Sequence, residues 1–255
     1  MQAKSNSGTD PTSDLSTSDA LLAVTAEQLR APLTSLQLQL HSLTRSITRS
    51  PNLPAAQLSA RVLTILGQAR RLSDMVDAAE DVSLVLRGEL HAELRWASLE
   101  LGEVVRTVVH DNAERAREQG CQIRLVIDQA IWGEWDPGRT RRMVSSLLQN
   151  ALQYAPRQPI VVSTRTTGDC GYVEISDRGP GIQDSDLARM DDRTRMPSRT
   201  ASGSGTGLWL TANVARAMGG SLSAKRLVDG GSVFSLELPL SPPTQPLERI
   251  KPRSS

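Results

Sequence analysis

Two runs of apolar residues with coiled-coil spacing place the strongest constraint on how this chain folds. In the first run, apolar side chains recur at alternating spacings of four and three: Leu22, Ala26, Leu29, Leu33, Leu36, Leu40, Leu43 and Ile47. Residues 51–54, which include two prolines, interrupt it. A second run then repeats the spacing: Leu58, Val62, Ile65, Ala69, Leu72, Val76 and Ala79. The pattern predicts two helices joined by a short turn, which pack as an antiparallel hairpin.

Additional apolar positions make each of these helical stripes wider than one partner helix covers. They are Leu38, Leu63, Leu66 and Met75. Pairing two hairpins into a four-helix bundle would bury this surplus, so we expect a homodimer or a heterodimer. The alternative is a monomeric hairpin that packs on the second half of the chain.

The second half of the chain alternates between strand-like and helix-like segments. The predicted strands are 92–96, 122–128, 131–135, 160–165, 172–176, 221–225 and 232–238, and the predicted helices are 98–120, 136–154 and 207–218. We expect Ser98 to start the first of these helices. Strands with helices on one face predict a two-layer α/β sandwich, so the fold class is α+β.

The sequence therefore divides into four predicted segments. Residues 1–18 and 241–255 are polar and are predicted to be disordered. Residues 19–90 are the predicted helical hairpin, and residues 91–240 are the predicted α/β domain.

Composition and charge exclude several classes of function. The net charge is +1, with 29 basic and 28 acidic residues, so we expect no direct binding of nucleic acid. Cys121 and Cys170 lack the spacing of metal ligands and are expected to be reduced thiols. No apolar run approaches the roughly 20 residues needed to span a bilayer. We expect a soluble, cytoplasmic protein.

Three motifs in the second half carry residue types suited to a nucleotide. Asn150 lies in a predicted helix, and its amide oxygen suits Mg²⁺. Asp177 follows a predicted strand with Gly179 and Gly181 behind it, and an acceptor-only carboxylate suits the exocyclic amine of adenine. The glycine-rich segment 203–208 precedes a predicted helix and could cradle phosphates. Each motif alone has an ordinary explanation, and their joint order favours a nucleotide site.

The segment between the two glycine motifs is polar and poor in strand-forming residues. Residues 184–202 contain four arginines, Arg189, Arg193, Arg195 and Arg199. A mobile lid over a nucleotide has this composition, and so does a solvated loop.

Taken together, these motifs resemble the sensor histidine kinases of two-component systems over residues 20–240. The hairpin is similar to their dimerisation and phosphotransfer domain, and the second half is similar to their ATP-binding domain, the Bergerat fold of the GHKL superfamily. The resemblance implies ATP and Mg²⁺ as cofactors, with Asn150 as the Mg²⁺ ligand and Asp177 as the adenine acceptor. The other nucleotide-binding residues that it implies are Tyr154, Gly179, Gly181, Gly205, Thr206, Gly207 and Leu208.

The chain departs from this family where the phosphoacceptor histidine is expected. Glu27 stands in its place, although the proline and leucines of the surrounding box are present. By the resemblance, Gln28 stands where the family has an acidic residue that acts as a general base. Ala31 stands where the family has a Thr or Asn that orients water. We therefore expect Glu27 to be a solvated residue and no self-phosphorylation there. His41, two heptads further on, is an alternative acceptor without the flanking residues of the box.

Three functions remain open at this point. The first is a histidine kinase-like regulator that binds ATP and Mg²⁺, dimerises with itself or with a histidine kinase, and contacts a response regulator. The second is an active kinase that phosphorylates a histidine of a partner subunit. The third is a nucleotide-independent scaffold, which Gln153 at a usually basic position and the absence of phenylalanine in the lid favour. We favour the first because the metal ligand and the adenine acceptor are both kept.

Overall fold

The computed structural model describes residues 12–49, 54–183, 187 and 205–243, without the side chains of residues 12–29 and 205–206. The chain divides into two compact units, residues 1–83 and residues 84–255. Among the described residues, no helix combines the length and the apolarity needed to cross a membrane.

The first unit is built from two long helices. Helix α1 is Thr12–Arg49, and helix α2 is Ala55–Arg87, whose last turn belongs to the second unit. The Arg61 guanidinium in α2 donates a hydrogen bond of 2.7 Å to the Ser46 hydroxyl in α1. This bond joins the end of α1 to the beginning of α2, as an antiparallel hairpin requires. The start of α1 lies inside the stretch 1–18, where the sequence predicts disorder.

A stripe of apolar side chains on α1 is open to solvent in the single chain. Leu33, Leu40 and Ile47 are seven residues apart and are 44–47% exposed. Leu36 and Leu43 are less exposed. Helix α2 likewise has exposed apolar side chains, which include Val62, Leu63, Leu66 and Val76. Among the described side chains of the first unit, much of the apolar surface therefore stays exposed.

The second unit alternates short helices and strands. After a short 3₁₀ helix, Leu90–Glu93, the elements are β1 Ala97–Glu100, α3 Leu101–Asp111, α4 Ala113–Glu118, β2 Ile123–Ile127, β3 Trp132–Trp135, α5 Pro137–Tyr154, β4 Ile160–Thr167, β5 Cys170–Ser176, α6 Gly205–Ala217, β6 Ser221–Arg226 and β7 Ser232–Pro239. Six of the seven predicted strands and all three predicted helical regions are present, with shifts of a few residues at their ends.

The beginning of this unit differs from the prediction. The predicted strand 92–96 is wrong, because Leu90–Glu93 is a 3₁₀ helix and the strand begins at Ala97. Ser98 does not start a helix, because it lies in β1 and pairs with Glu134 of β3. Glu100 caps α3 instead, and its carboxylate accepts hydrogen bonds of 2.8 Å from the amides of residues 102 and 103. The predicted helix 98–120 is interrupted at residue 112.

A five-stranded sheet in the order β2-β4-β5-β7-β6 forms the base of the unit. Strands β2 and β4 are parallel, and the other neighbours are antiparallel. Apolar side chains alternate along β4, β5 and β7, so that one face of the sheet meets the helices. The fully buried side chains of this two-layer core include Trp135, Leu147, Leu148, Ile160, Ile175, Phe234 and Leu236.

Asp136 fixes the beginning of α5, the helix that carries Asn150. Its carboxylate accepts hydrogen bonds of 2.9 Å from the amides of Arg139 and Arg95 and from the Arg139 guanidinium. Burial tends to raise the pKa of this carboxyl, but these bonds and the charge of Arg139 lower it below its usual value. The cap therefore joins α5 to the segment that precedes β1.

Candidate functional site

The end of α5 lies against the turn that follows β5. A Cβ atom placed on Gly179 would lie 2.7 Å from the Tyr154 carbonyl oxygen and 3.2 Å from the Ala155 Cβ. A larger residue would therefore displace either the end of the helix or the turn. Glycine at this position sets the close approach between the two elements.

The beginning of α6 lies against the same helix two turns earlier. A Cβ atom on Gly207 would lie 3.0 Å from the Ser146 Oγ atom. Asn150 is partly exposed and stands four residues after Ser146 and four before Tyr154, so these three residues follow one face of α5. Along the helix, Asn150 therefore lies between the glycine of α6 and the turn after β5.

Asp177 is the buried acid of this region, with 4% of its surface exposed. Its Oδ1 atom accepts a hydrogen bond of 2.8 Å from the Gly179 amide. Burial raises the pKa of the Asp177 carboxyl, and the backbone hydrogen bonds of Gly179 and Ser232 offset only part of the rise. A carboxylate can accept further hydrogen bonds, and a buried one is stabilised by a donor. The site is therefore suited to a ligand that donates a hydrogen bond.

Strands β6 and β7 support the Asp177 turn. The Asp177 amide donates to the Ser232 carbonyl oxygen at 3.0 Å, and the Ile182 amide donates to the Ser232 Oγ atom at 2.8 Å. Gly231 has φ +95°, and a Cβ atom there would collide with the Asp177 carbonyl oxygen. One buried serine thus holds both ends of the turn formed by residues 177–182.

The structure brings most of the predicted nucleotide-binding residues into one region. These are Asn150, Tyr154, Asp177, Gly179, Gly181 and Gly207. Leu208 lies beside them but is buried in the hydrophobic core. Their roles toward a nucleotide stay predictions.

The structure describes the other predicted residues only in part. The side chains of Glu27, Gln28 and Thr206 are not described, although all three residues lie within helices, and Gly205 is the first residue of α6. Ala31 is exposed on α1. The predicted lid, residues 184–202, is outside the description except for residue 187, and so are residues 1–11 and 244–255.

Three residues of the region were not predicted from the sequence. Ser146 and Ser232 make the contacts given above, and Arg226 donates a hydrogen bond of 3.2 Å to the Pro180 carbonyl oxygen. Ser232 follows two glycines at the start of a strand, which is a signal for a close backbone approach. No local pattern distinguishes Ser146 or Arg226, because their contacts lie far away in sequence.

The region fits a magnesium nucleotide better than a metal held by the protein alone. Within the described part of the chain, no group of three or more His, Cys, Asp and Glu side chains could hold a metal ion. Asn150 offers a single amide oxygen, and Mg²⁺ commonly takes one or two protein ligands together with phosphate and water oxygens. The N-terminal end of α6 and close-packed Gly207 suit a phosphate group.

Comparison with known proteins identifies the second unit. Residues 135–242 match the sequence profile of the family described as "Histidine kinase-, DNA gyrase B-, and HSP90-like ATPase". The chain is 27% identical to the sensor protein TorS of Escherichia coli over 234 residues, which are 90% of this chain and 25% of TorS. It is 30% identical to the sensor histidine kinase TrcS of Mycobacterium tuberculosis over 226 residues, which are 84% of this chain and 42% of TrcS.

Solved structures show the same fold. The histidine kinase AdeS of Acinetobacter baumannii matches with a TM-score of 0.55 and 22% identity, over 84% of this chain and 97% of that chain. The chain spans a quarter to about half of the curated relatives that it matches first. The chain thus contains a GHKL-type, histidine kinase-like ATPase domain and is related to two-component sensor histidine kinases.

Proposed function

We propose that this chain is a histidine kinase-like signalling protein that binds ATP with Mg²⁺, associates through its helices and regulates a two-component system. The observation that carries the proposal is the buried Asp177 carboxylate, held by the Gly179 amide beside the end of α5. Burial raises the pKa of the Asp177 carboxyl, and a ligand that donates a hydrogen bond would stabilise its charged form. The exocyclic amine of adenine is such a donor.

The phosphates would lie toward the beginning of α6. The amides at the start of this 13-residue helix point along its axis, and its dipole favours negative charge there. Asn150, partly exposed on the neighbouring face of α5, would supply the protein ligand of Mg²⁺. When bound, the magnesium ion supplies charge neutralisation to the phosphates. The protein itself orients the base through Asp177 and admits the phosphates through its glycines.

The helical unit would provide association rather than phosphoryl acceptance. Glu27 replaces histidine in the sequence, Gln28 cannot take up a proton, and Ala31 cannot orient water. Leu33, Leu40 and Ile47 form an exposed stripe of heptad period. We propose that this stripe packs against a second copy of the chain or against a histidine kinase, and that a response regulator is a further partner.

Nucleotide binding is the first test of this proposal. The full chain is titrated with ATP in the presence and absence of Mg²⁺ by calorimetry. Asp177→Asn should weaken binding by about 10- to 150-fold, the range expected when a hydrogen bond to a buried charge is lost. Asp128→Asn, which changes an exposed aspartate, is the matched control. Absence of binding by the unmodified chain would contradict the proposal and favour a nucleotide-independent scaffold.

Phosphoryl transfer is the second test. The chain is incubated with γ-labelled ATP alone and with candidate partner histidine kinases, and any modified residue is mapped. We expect no label on this chain. Labelling of Glu27 or His41 would contradict the proposed regulator, whereas labelling of a partner histidine that depends on Asp177 would favour the alternative of a kinase acting on a partner subunit.

A further inference from the structure

The turn that contains Asp177 is anchored unevenly. Its two ends are bonded to Ser232, which is 3% exposed, through the amides of Asp177 and Ile182. Pro180, near the middle, is exposed and its nitrogen carries no hydrogen to donate. Pro180 therefore cannot be fixed through its own amide, which leaves its carbonyl oxygen to make such a contact.

Arg226, the last residue of β6, makes such a contact. Its Nη2 atom donates a hydrogen bond of 3.2 Å to the Pro180 carbonyl oxygen. Its side chain also lies over Gly181, where a Cβ atom would be 2.9 Å from Nε and 3.0 Å from Cγ. Gly181 has φ +82°, a conformation that suits glycine, and the absence of a side chain leaves room for the arginine.

We propose that Arg226 is a positioning residue that sets the selectivity of the site for adenine. The Pro180 carbonyl that it holds is one residue from Gly179, whose amide holds the Asp177 Oδ1 atom at 2.8 Å. Fixing the peptide at Pro180 restricts the position of the Gly179 amide and with it the orientation of the carboxylate. The inference rests on the proposed binding of ATP and adds a residue that controls which base is accepted.

The test compares two nucleotides that differ at the group read by Asp177. Inosine triphosphate carries a carbonyl oxygen where ATP carries the exocyclic amine, so it offers the carboxylate an acceptor instead of a donor. With the full chain and Mg²⁺, Arg226→Ala should weaken ATP binding about three- to tenfold, the effect of losing one ordinary hydrogen bond, because this bond is exposed and acts on the site only through the turn. Binding of inosine triphosphate should change less than about twofold. The ratio of the two affinities therefore falls.

Two further variants separate positioning from charge and from folding. Lys225→Ala removes the same charge from the adjacent exposed residue and should leave the ratio unchanged. Arg226→Lys keeps the charge but lacks the planar donor group. Its ratio of ATP affinity to inosine triphosphate affinity should therefore lie between those of Arg226→Ala and the unmodified chain. A general loss of structure would weaken the binding of both nucleotides equally. Tryptophan fluorescence during thermal unfolding therefore checks that each variant is folded.

The possible outcomes are distinct. An unchanged ratio in Arg226→Ala, an equal fall in Lys225→Ala, or equal binding of both nucleotides by the unmodified chain would overturn the role of Arg226. If the unmodified chain binds neither nucleotide, the proposed function itself fails. A fall in the ratio that is confined to position 226 supports the inference.

Discussion

The helical unit and the α/β unit differ in how far their apolar side chains are exposed to solvent. Leu33, Leu40 and Ile47 on α1 remain 44–47% exposed, whereas Trp135 and Leu148 in the α/β unit are completely buried. The sheet and its helices close a core within one chain. The long helices present an apolar stripe that a single chain leaves in contact with water. From this difference we predict that the α/β unit is stable by itself and that the helical unit is stabilised by a partner.

Spectroscopy can follow the two units separately. The four tryptophans are Trp96, Trp132, Trp135 and Trp209, and all lie in residues 84–255. Residues 1–83 contain no aromatic residue other than His41. Tryptophan fluorescence therefore reports the α/β unit, and far-ultraviolet circular dichroism is sensitive to the long helices.

The largest effect should come from a polar residue in the exposed stripe of α1. Leu40→Gln removes a leucine from each of two paired chains, which should cost about 3–6 kcal/mol of association free energy and raise the dissociation constant about 10²- to 10⁴-fold. Sedimentation measures the association, and the tryptophan transition should not move. Ser42→Gln, at an exposed serine of a different helical face, is the control. A chain that is monomeric at every concentration would contradict pairing of two copies.

A cavity in the core should affect the other unit alone. Leu148→Ala is expected to destabilise the α/β unit by about 2–5 kcal/mol, because it removes a fully buried side chain from α5. The tryptophan-monitored midpoint should fall while the dissociation constant stays constant. A parallel loss of association would show that the two units are not independent.

Removal of the α5 cap should have a smaller effect that depends on pH. Asp136→Ala should cost the α/β unit about 1–3 kcal/mol at neutral pH, since the amides of Arg95 and Arg139 lose their acceptor. The pKa of this carboxyl is lowered in the folded state despite its burial, so its contribution is present above the pKa of the unfolded chain and is lost as the pH falls through the folded pKa. Urea titrations at several pH values measure this. The stability lost in Asp136→Ala should therefore shrink as the pH falls. Asp128→Ala, at an exposed aspartate, should cost little stability at any of these pH values.

The smallest effect is expected at Asp177, where the change in stability with pH should have the opposite sign to that at Asp136. Burial raises the pKa of Asp177, so between the unfolded and folded pKa values the unfolded chain binds fewer protons and stability falls as the pH rises. Asp177→Asn removes this decline while an amide oxygen can still accept from Gly179. The variant should therefore unfold at a slightly higher temperature than the unmodified chain at neutral pH, although it binds nucleotide less well. A lower midpoint at neutral pH would contradict this account of the buried acid.

Much of the α/β unit could be predicted because its signals are local. Apolar residues alternate along β4, β5 and β7, and Asp136 followed by proline is a local signal for the start of α5. The error at the beginning of the unit has a local cause. Ser98 is a frequent capping residue, but pairing with β3 placed it in a strand and gave the cap to Glu100.

The helical unit shows the limit of the same approach. Heptad spacing predicted both helices, and the hydrogen bond between Arg61 and Ser46 agrees with an antiparallel pair. The spacing does not say which side of each helix a partner chain would cover. Pairing of two chains depends on a second molecule and stays a prediction.

The sequence by itself determined the order of the elements and the kinds of residue available to a nucleotide, since turn-forming glycines, helix caps and apolar periods act over a few residues. Only the tertiary structure decided which of them meet. It placed Gly179 against the end of α5, Gly207 against Ser146, and Arg226 over the turn after β5. These contacts join residues 25 to 61 positions apart, and only the packing of helices on a shared sheet brings such distant residues within a few ångströms.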